Sequence, residues 1–288
     1  MKLTAGCILL LLAGCSRNAT APAASQGVQP RTDTSGTCSG ICDASTPSIP
    51  VLTDSTSYGD ITTYGGTDTA LVSSGGACNY GVTGIKAYAA IQVNRLPGDL
   101  QGQWNGGKIC GQCALVRARS DSGWKQTVVR IVDKCPDGNC GIDLGGAPAF
   151  ALMGNQAGRY SGEWSFVSCQ GHPELFDGLP RIWIKDGSGA YWSLVQVRDP
   201  LSAVLSLGYR KVQSPDTSWS DMAWAIEAEN FFKVPVDVLQ DTSFYQFRAE
   251  YSDGSSQSAS ARGTALAVAQ DSLLLSPPVS LERANREP

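Results

Sequence analysis

The chemistry open to this chain is bounded by a single histidine, His172, and by ten cysteines. One imidazole excludes metal sites built on several histidines. A Ser-His-Asp triad would have to use His172, and no nucleophile-elbow motif accompanies it. Ten cysteines in a chain of 288 residues point to an oxidising compartment. Cys110-Gly-Gln-Cys113 has the spacing of a redox pair, but thiol activation needs a helix N-terminus. Here the pair runs straight into the strand-like Ala-Leu-Val-Arg-Ala of residues 114–118, and no second C-x-x-C completes a zinc site. Structural disulfides are therefore expected among Cys78, Cys110, Cys113, Cys135, Cys140 and Cys169, which allow many pairings. Cys38 and Cys42 could close a small loop of their own or pair elsewhere.

These residues need a scaffold, and its texture is β. From Tyr58 onward, ITTY, QCALVRA, TVVRIVD and EWSFVSC alternate with glycine turns, too closely spaced for βαβ units. APAFALMG (147–154) is the one candidate for a short helix in this region. A compact all-β barrel of about a hundred residues is predicted. After HPELFDGLP, RIWIK and YWSLVQVRD flank Asp186-Gly187-Ser188-Gly189, a hairpin signal. AVLSLGYRKV, AWAIEAE, VPVDVL and FYQFRAEY supply further strands of a β-sandwich. Arg181 and Lys185 alternate with Ile182 and Ile184 and mark a solvated face. The tail, 263–288, is expected to fray, with TALAVAQDSLLL as a short helix at most. His172 falls in the interdomain stretch and reads as surface or hinge.

Lys plus Arg is 22 against 26 for Asp plus Glu, a net charge of −4. That balance argues against a phosphate-backbone binder and against strong adsorption to acidic polymers. The first fifteen residues carry Lys2, an apolar run from Ile8 to Leu12 and then Leu12-Ala13-Gly14-Cys15. This resembles a bacterial lipobox, too short to span a bilayer. It implies a signal peptide of residues 1–14, with diacylglycerol on the Cys15 thiol and a lipid anchor in a membrane. In a Gram-negative host Ser16 after that cysteine, rather than Asp, implies the outer membrane. Residues 15–57, rich in Ser, Thr, Ala, Pro and Gly, read as a disordered tether.

The ordered motifs GDITTYGG, GGACNYG, NGGKICGQCALV, VRIVDKCPDGNCGIDL and EWSFVSC resemble barwin and the first domain of expansins. YWSLVQVRD with the following VLSLGY resembles the second domain of bacterial expansins. The resemblance implies an all-β fold: a six-stranded double-psi β-barrel (58–171) followed by an immunoglobulin-like β-sandwich (175–262). The sandwich would be a family 63 carbohydrate-binding module. The family pattern also implies the pairs Cys78–Cys110, Cys113–Cys169 and Cys135–Cys140.

Carried over by the resemblance, the polar floor of the barrel is Thr62, Tyr64, Asp133 and Asp143, with Asp143 the residue the family depends on most. Two neighbouring carboxylates in a sugar groove have a use: one can stay protonated beside the other and donate to a glycan oxygen. Without the resemblance, both aspartates read as turn caps around Pro136-Asp137-Gly138. Hydrolysis needs a separate general base. In the related family-45 endoglucanases that base follows the Thr and Tyr of the first strand, where this chain has Gly66, or Gly65 one residue earlier. Asp68 lies beyond the glycines, in a predicted loop. Bacterial expansins often carry an aromatic where this chain has Cys135, the barwin form. In the sandwich, Tyr191 and Trp192 match two of three sugar-stacking aromatics, and Trp219 is the candidate third; Trp224 reads as core. Adjacent residues share a surface only if the chain leading to them is irregular, as Gly187 and Gly189 allow.

The expectation is a lipid-anchored, extracytoplasmic, expansin-like monomer. It would bind cellulose or another β-glucan without cleaving it, with no cofactor, metal or nucleic-acid partner. The alternatives are a glycan-cleaving barwin-like enzyme acting on peptidoglycan or cellulose, and an inert adhesion module.

Overall fold

The computed structural model describes residues 56–93, 103–120, 123–156, 158–225 and 230–276. The expected signal peptide, Cys15, Cys38, Cys42 and nearly all of the expected tether lie outside them.

The first domain is a closed barrel of six strands: β1 (Ser57–Thr63), β2 (Ala87–Gln92), β3 (Cys113–Ser120), β4 (Gly123–Cys135), β5 (Cys140–Gly145) and β6 (Tyr160–Val167). Their order around the barrel is β1-β5-β2-β4-β3-β6. β1 runs parallel to β5 and β2 parallel to β4, which are the crossed connections of a double-psi barrel. Alternation drives the closure: Val129 and Ile131 of β4, with Ile61, Val116, Ile142 and Trp164 from its neighbours, fill the interior. The one helical segment anticipated here is α1 (Gly146–Met153), laid over this core by Ala149 and Leu152.

Disulfides Cys78–Cys110, Cys113–Cys169 and Cys135–Cys140 are formed. The first two tie loops to the barrel wall, and the third closes the turn between β4 and β5.

The second domain is two packed sheets. One contains β10 (Ser220–Asp221), β9 (Val204–Lys211), β13 (Phe244–Tyr251) and β14 (Ser256–Arg262) in that order. The other contains β11 (Ala223–Trp224), β12 (Phe232–Lys233), β8 (Leu194–Arg198), β7 (Arg181–Ile184) and β15 (Ser272–Leu274). Strict alternation in β13 sends Tyr245, Phe247, Ala249 and Tyr251 into the core between them, opposite Ile182, Ile184, Val195 and Val197. A short helix, α2 (Val236–Gln240), adds Val238 and Leu239.

Two expectations are corrected. The chain after Arg262 does not fray at once: β15 pairs with β7, matching Ser272 to Trp183 and Leu274 to Arg181. Nor is TALAVAQDSLLL a helix beyond a single 3-10 stretch at Gly263–Ala267. Burial of Leu266 and Leu275 in the sandwich core explains both, because it holds the segment extended across the sheet. The stretch around His172 is likewise no free hinge. Leu175, fully buried, packs against the Cys113–Cys169 bridge, and His172 Nδ1 lies 3.1 Å from Glu174 Oε1.

Polar groups seal the two domains together. The Gln112 carboxamide oxygen accepts from the Ser202 and Ser252 hydroxyls at 2.9 and 2.6 Å, while its NH2 donates to Val167 O at 2.9 Å. Gln196 and Asn230 both donate to Cys78 O.

Candidate functional site

Strand register assembles the barrel site. Thr62 of β1 pairs with Asp143 of β5, Asp143 with Ala90 of β2, and Ala90 with Asp133 of β4. Residues in register share a face, so these four form one row across four adjacent strands. Irregularities after Asp60 in β1 and after Ala89 in β2 re-aim both strands at this row.

Within the row, the Thr62 hydroxyl donates to Asp143 Oδ1 at 2.7 Å. The Cys135–Cys140 bridge packs beside it, with Cys135 Sγ 3.7 Å from Asp143 Oδ2. As a disulfide, that bridge offers no thiolate to a metal. Burial pushes the Asp143 carboxyl above the ordinary aspartate range, opposed by the Thr62 hydrogen bond. The charge of Asp133 is the weakest of the influences on it. The two carboxylates therefore do not form a proton-sharing pair. Ala90 separates them, and two strand spacings amount to about 10 Å between their backbones.

Asp133 has a different setting. Its Oδ1 accepts backbone N–H groups from Ala77 and Lys134, both at 2.8 Å. Gly76 presses so close that a Cβ there would fall 2.4 Å from the Asp133 carboxyl carbon. Tyr64 continues β1 and stands edge-on to Tyr88, ring centroids 5.8 Å apart. Burial first, then Asp133, Tyr88 and Asp143, drives its hydroxyl far above the usual tyrosine range, so it remains a neutral donor.

The glycines that follow stand in open space. Gly65 and Gly66 have φ of 68° and 91°, and a Cβ at either would meet nothing within 4 Å. Asp68, in the loop beyond, accepts the Ala70 N–H at 2.9 Å.

Arg159 completes the rim and was missed in the sequence. It donates to Asp60 Oδ2 at 2.7 Å, to Asn139 O at 3.0 Å and to Asp137. Its carboxylate partners are 99 and 22 residues away, so no local pattern marks it.

In the sandwich, Tyr191 and Trp192 lie in the β7–β8 connection, outside any regular strand, and both are exposed. Gly189 and Trp192 form an isolated bridge, the irregular approach that lets neighbours reach solvent together. Trp219 does not join them. It precedes β10 on the four-stranded sheet, among the outward-facing Gly208, Arg210 and Arg248. Tyr191 and Trp192 lie instead in the connection between two strands of the five-stranded sheet. The Arg210 and Arg248 guanidiniums cover the Trp219 ring at 4.7 and 4.2 Å from its centroid. Trp224 packs edge-on against core Phe232 at 5.0 Å. Among the described residues, no helix is long and apolar enough to cross a membrane.

No protein-family model and no curated protein matches this chain. Two solved structures of the expansin of Clavibacter michiganensis do. One is a mutant in complex with cellohexaose and the other is ligand-free, at 17% and 18% identity, both with a TM-score of 0.54. Each comparison covers 76% of this chain and 96% of the expansin. The fold is that of the bacterial expansins. The expansin fold accounts for both the barrel row and the sandwich behind it, in one chain and in that order.

Proposed function

We propose that the protein is an expansin-like, non-hydrolytic glycan-binding protein of the cell envelope, lipid-anchored through Cys15. Tyr191 and Trp192 stack on β-glucan, and the barrel row loosens glycan contacts through Asp143. One observation carries this reading: the row offers a single adaptable carboxyl. Asp143 is half-buried, biased toward its neutral form and hydrogen-bonded once. Asp133 is fixed by two backbone donors, and the residues following Tyr64 are glycines. A neutral carboxyl can donate to a glycan oxygen, but an inverting hydrolysis also needs an opposed carboxylate with room for water. Cellohexaose on the Clavibacter expansin supports a β-glucan as ligand for this fold.

The lone carboxyl also favours a second reading, lytic transglycosylation of peptidoglycan, because one group can there act as acid and base in turn. Reducing-end release by the full-length protein, on amorphous cellulose and on peptidoglycan, separates the two. The expansin reading expects none on either. Release from cellulose that Asp143→Asn abolishes would make it an endoglucanase, and release from peptidoglycan alone would establish the second reading. Tyr191→Ala/Trp192→Ala should remove cellulose retention; unchanged retention would refute the binding face.

A further inference from the structure

The crease between barrel and sandwich holds a cavity of about 30 Å³ lined by Tyr80, Arg130, Asp177, Arg181, Arg198 and Asp199. Three guanidiniums face two carboxylates there, an excess of one positive charge. Both carboxylates are already engaged. Asp199 Oδ2 accepts from Arg181 at 2.7 Å and its Oδ1 from the Asp177 N–H at 2.7 Å, with an Arg130 Nη 4.0 Å away. Asp177 Oδ1 accepts the Gly84 N–H at 2.8 Å.

Arg198 has no carboxylate partner among the described residues. Its guanidinium lies 3.5 Å from the centroid of the Trp183 ring, and its Nε donates to Gln196 Oε1 at 3.2 Å. Burial, then the charge of Arg181, pulls it down to about 10. Arg130 is 1% exposed, donates to Pro200 O at 2.7 Å and rests over the Phe176 ring. Its Nε lacks a hydrogen-bond partner, and the Tyr80 hydroxyl, which the Asn230 amide approaches as a donor, has no acceptor for its own proton. Buried donors without acceptors are costly and rarely left so. Water could satisfy the donors but not the surplus charge.

We propose that this cavity binds one small monoanion, chloride or the carboxylate group of a short acid, held by Arg130, Arg198 and the Tyr80 hydroxyl. The volume admits about two water-sized centres, which suits one compact anion and excludes a sugar ring. Arg130 belongs to β4 of the barrel and Arg198 to β8 of the sandwich, so the anion ties the two domains together. The inference stands apart from the glycan reading.

Thermal unfolding of the full chain tests it, in a bulky sulfonate buffer at constant ionic strength. Chloride, formate and acetate are titrated separately. The expected result is a saturable rise of about 4 °C in melting temperature. Arg198→Gln and Tyr80→Phe should each weaken the apparent affinity about tenfold, as loss of a hydrogen bond to a charged group implies. Saturation by chloride alone assigns an inorganic ion, and saturation by formate or acetate as well assigns a carboxylate. Should Arg198→Gln not fold, chloride-35 line broadening by the wild type decides, expected to be lost in Tyr80→Phe. A response that never saturates for any anion, or that is equal in wild type and variants, overturns the proposal.

Discussion

Replacing Thr62 by valine tests the barrel row at its most informative bond. The substitution keeps the shape of a nearly buried side chain and deletes the hydroxyl that donates to Asp143 at 2.7 Å. A hydrogen bond to a charged acceptor is worth about 1.5–3 kcal/mol, and the partial exposure of Asp143 places this one at the lower end. About 1.4 kcal/mol is a factor of ten in a protonation equilibrium, so the ionised fraction of Asp143 below its midpoint should fall about tenfold. The direction follows from burial, which already raises this carboxyl while Thr62 opposes it. A carboxyl raised in the folded state binds its proton more tightly there than in the unfolded chain. Its stabilising contribution is therefore complete below the ordinary aspartate range and lost as pH rises through the folded midpoint. Thr62→Val moves that loss to higher pH. Carbon-13 titration of the Asp143 carboxyl measures the midpoint, and wall-loosening activity against pH should move to the alkaline side with it. A midpoint that stays put or falls would refute the hydrogen-bond argument. A midpoint that rises while the activity profile stays fixed would remove Asp143 from the function.

Gly141→Ala places a Cβ 2.5 Å from the Trp164 ring and 2.8 Å from Asp60 O, so overpacking should cost about 1–3 kcal/mol. For a chain of this size that lowers the melting temperature by about 2–4 °C per kcal/mol, and an unchanged melting temperature would mean Trp164 yields freely. Gln112→Leu removes the donor to the buried Val167 carbonyl and the shared acceptor of the Ser202 and Ser252 hydroxyls, which keep only their bond to each other, costing about 1–3 kcal/mol. Faster amide exchange on both sides of the domain contact should report it, and exchange confined to one domain would contradict a shared seal. Trp219→Ala should leave cellulose retention in a pull-down as it was, since two arginines cover that ring on the opposite sheet; lost retention would place a glycan there.

The legible parts of the sequence were those with short-range grammar. FYQFRAEY was legible as strand β13, and Asp186 to Gly189 as the β7–β8 hairpin. The glycines ahead of Tyr191 and Trp192 signalled an irregular approach, and the two residues lie outside regular strand. Contacts made at long range were not legible. Arg159 meets Asp60 across 99 residues, and β15 finds β7 only because Leu266 and Leu275 are buried first. The sheet that Trp219 adjoins was out of reach for the same reason, because an aromatic near a predicted strand says nothing about which sheet that strand joins.

Register explains why two aspartates ten positions apart take such different roles. Each is one strand removed from Ala90, yet their partners differ in kind. Asp133 meets backbone N–H groups from Ala77 and Lys134, donors that are fixed in place by the chain. Asp143 meets a rotatable hydroxyl, which favours its anion, and burial beside a disulfide, which outweighs that bond and favours the neutral acid. Proton sharing would require the two to be adjacent, and the intervening β2 prevents it. The neutral donor is thus made by burial rather than by a second charge. Under the proposed function, such a barrel would hold a proton for a glycan oxygen with no second free carboxylate in the row to act as base.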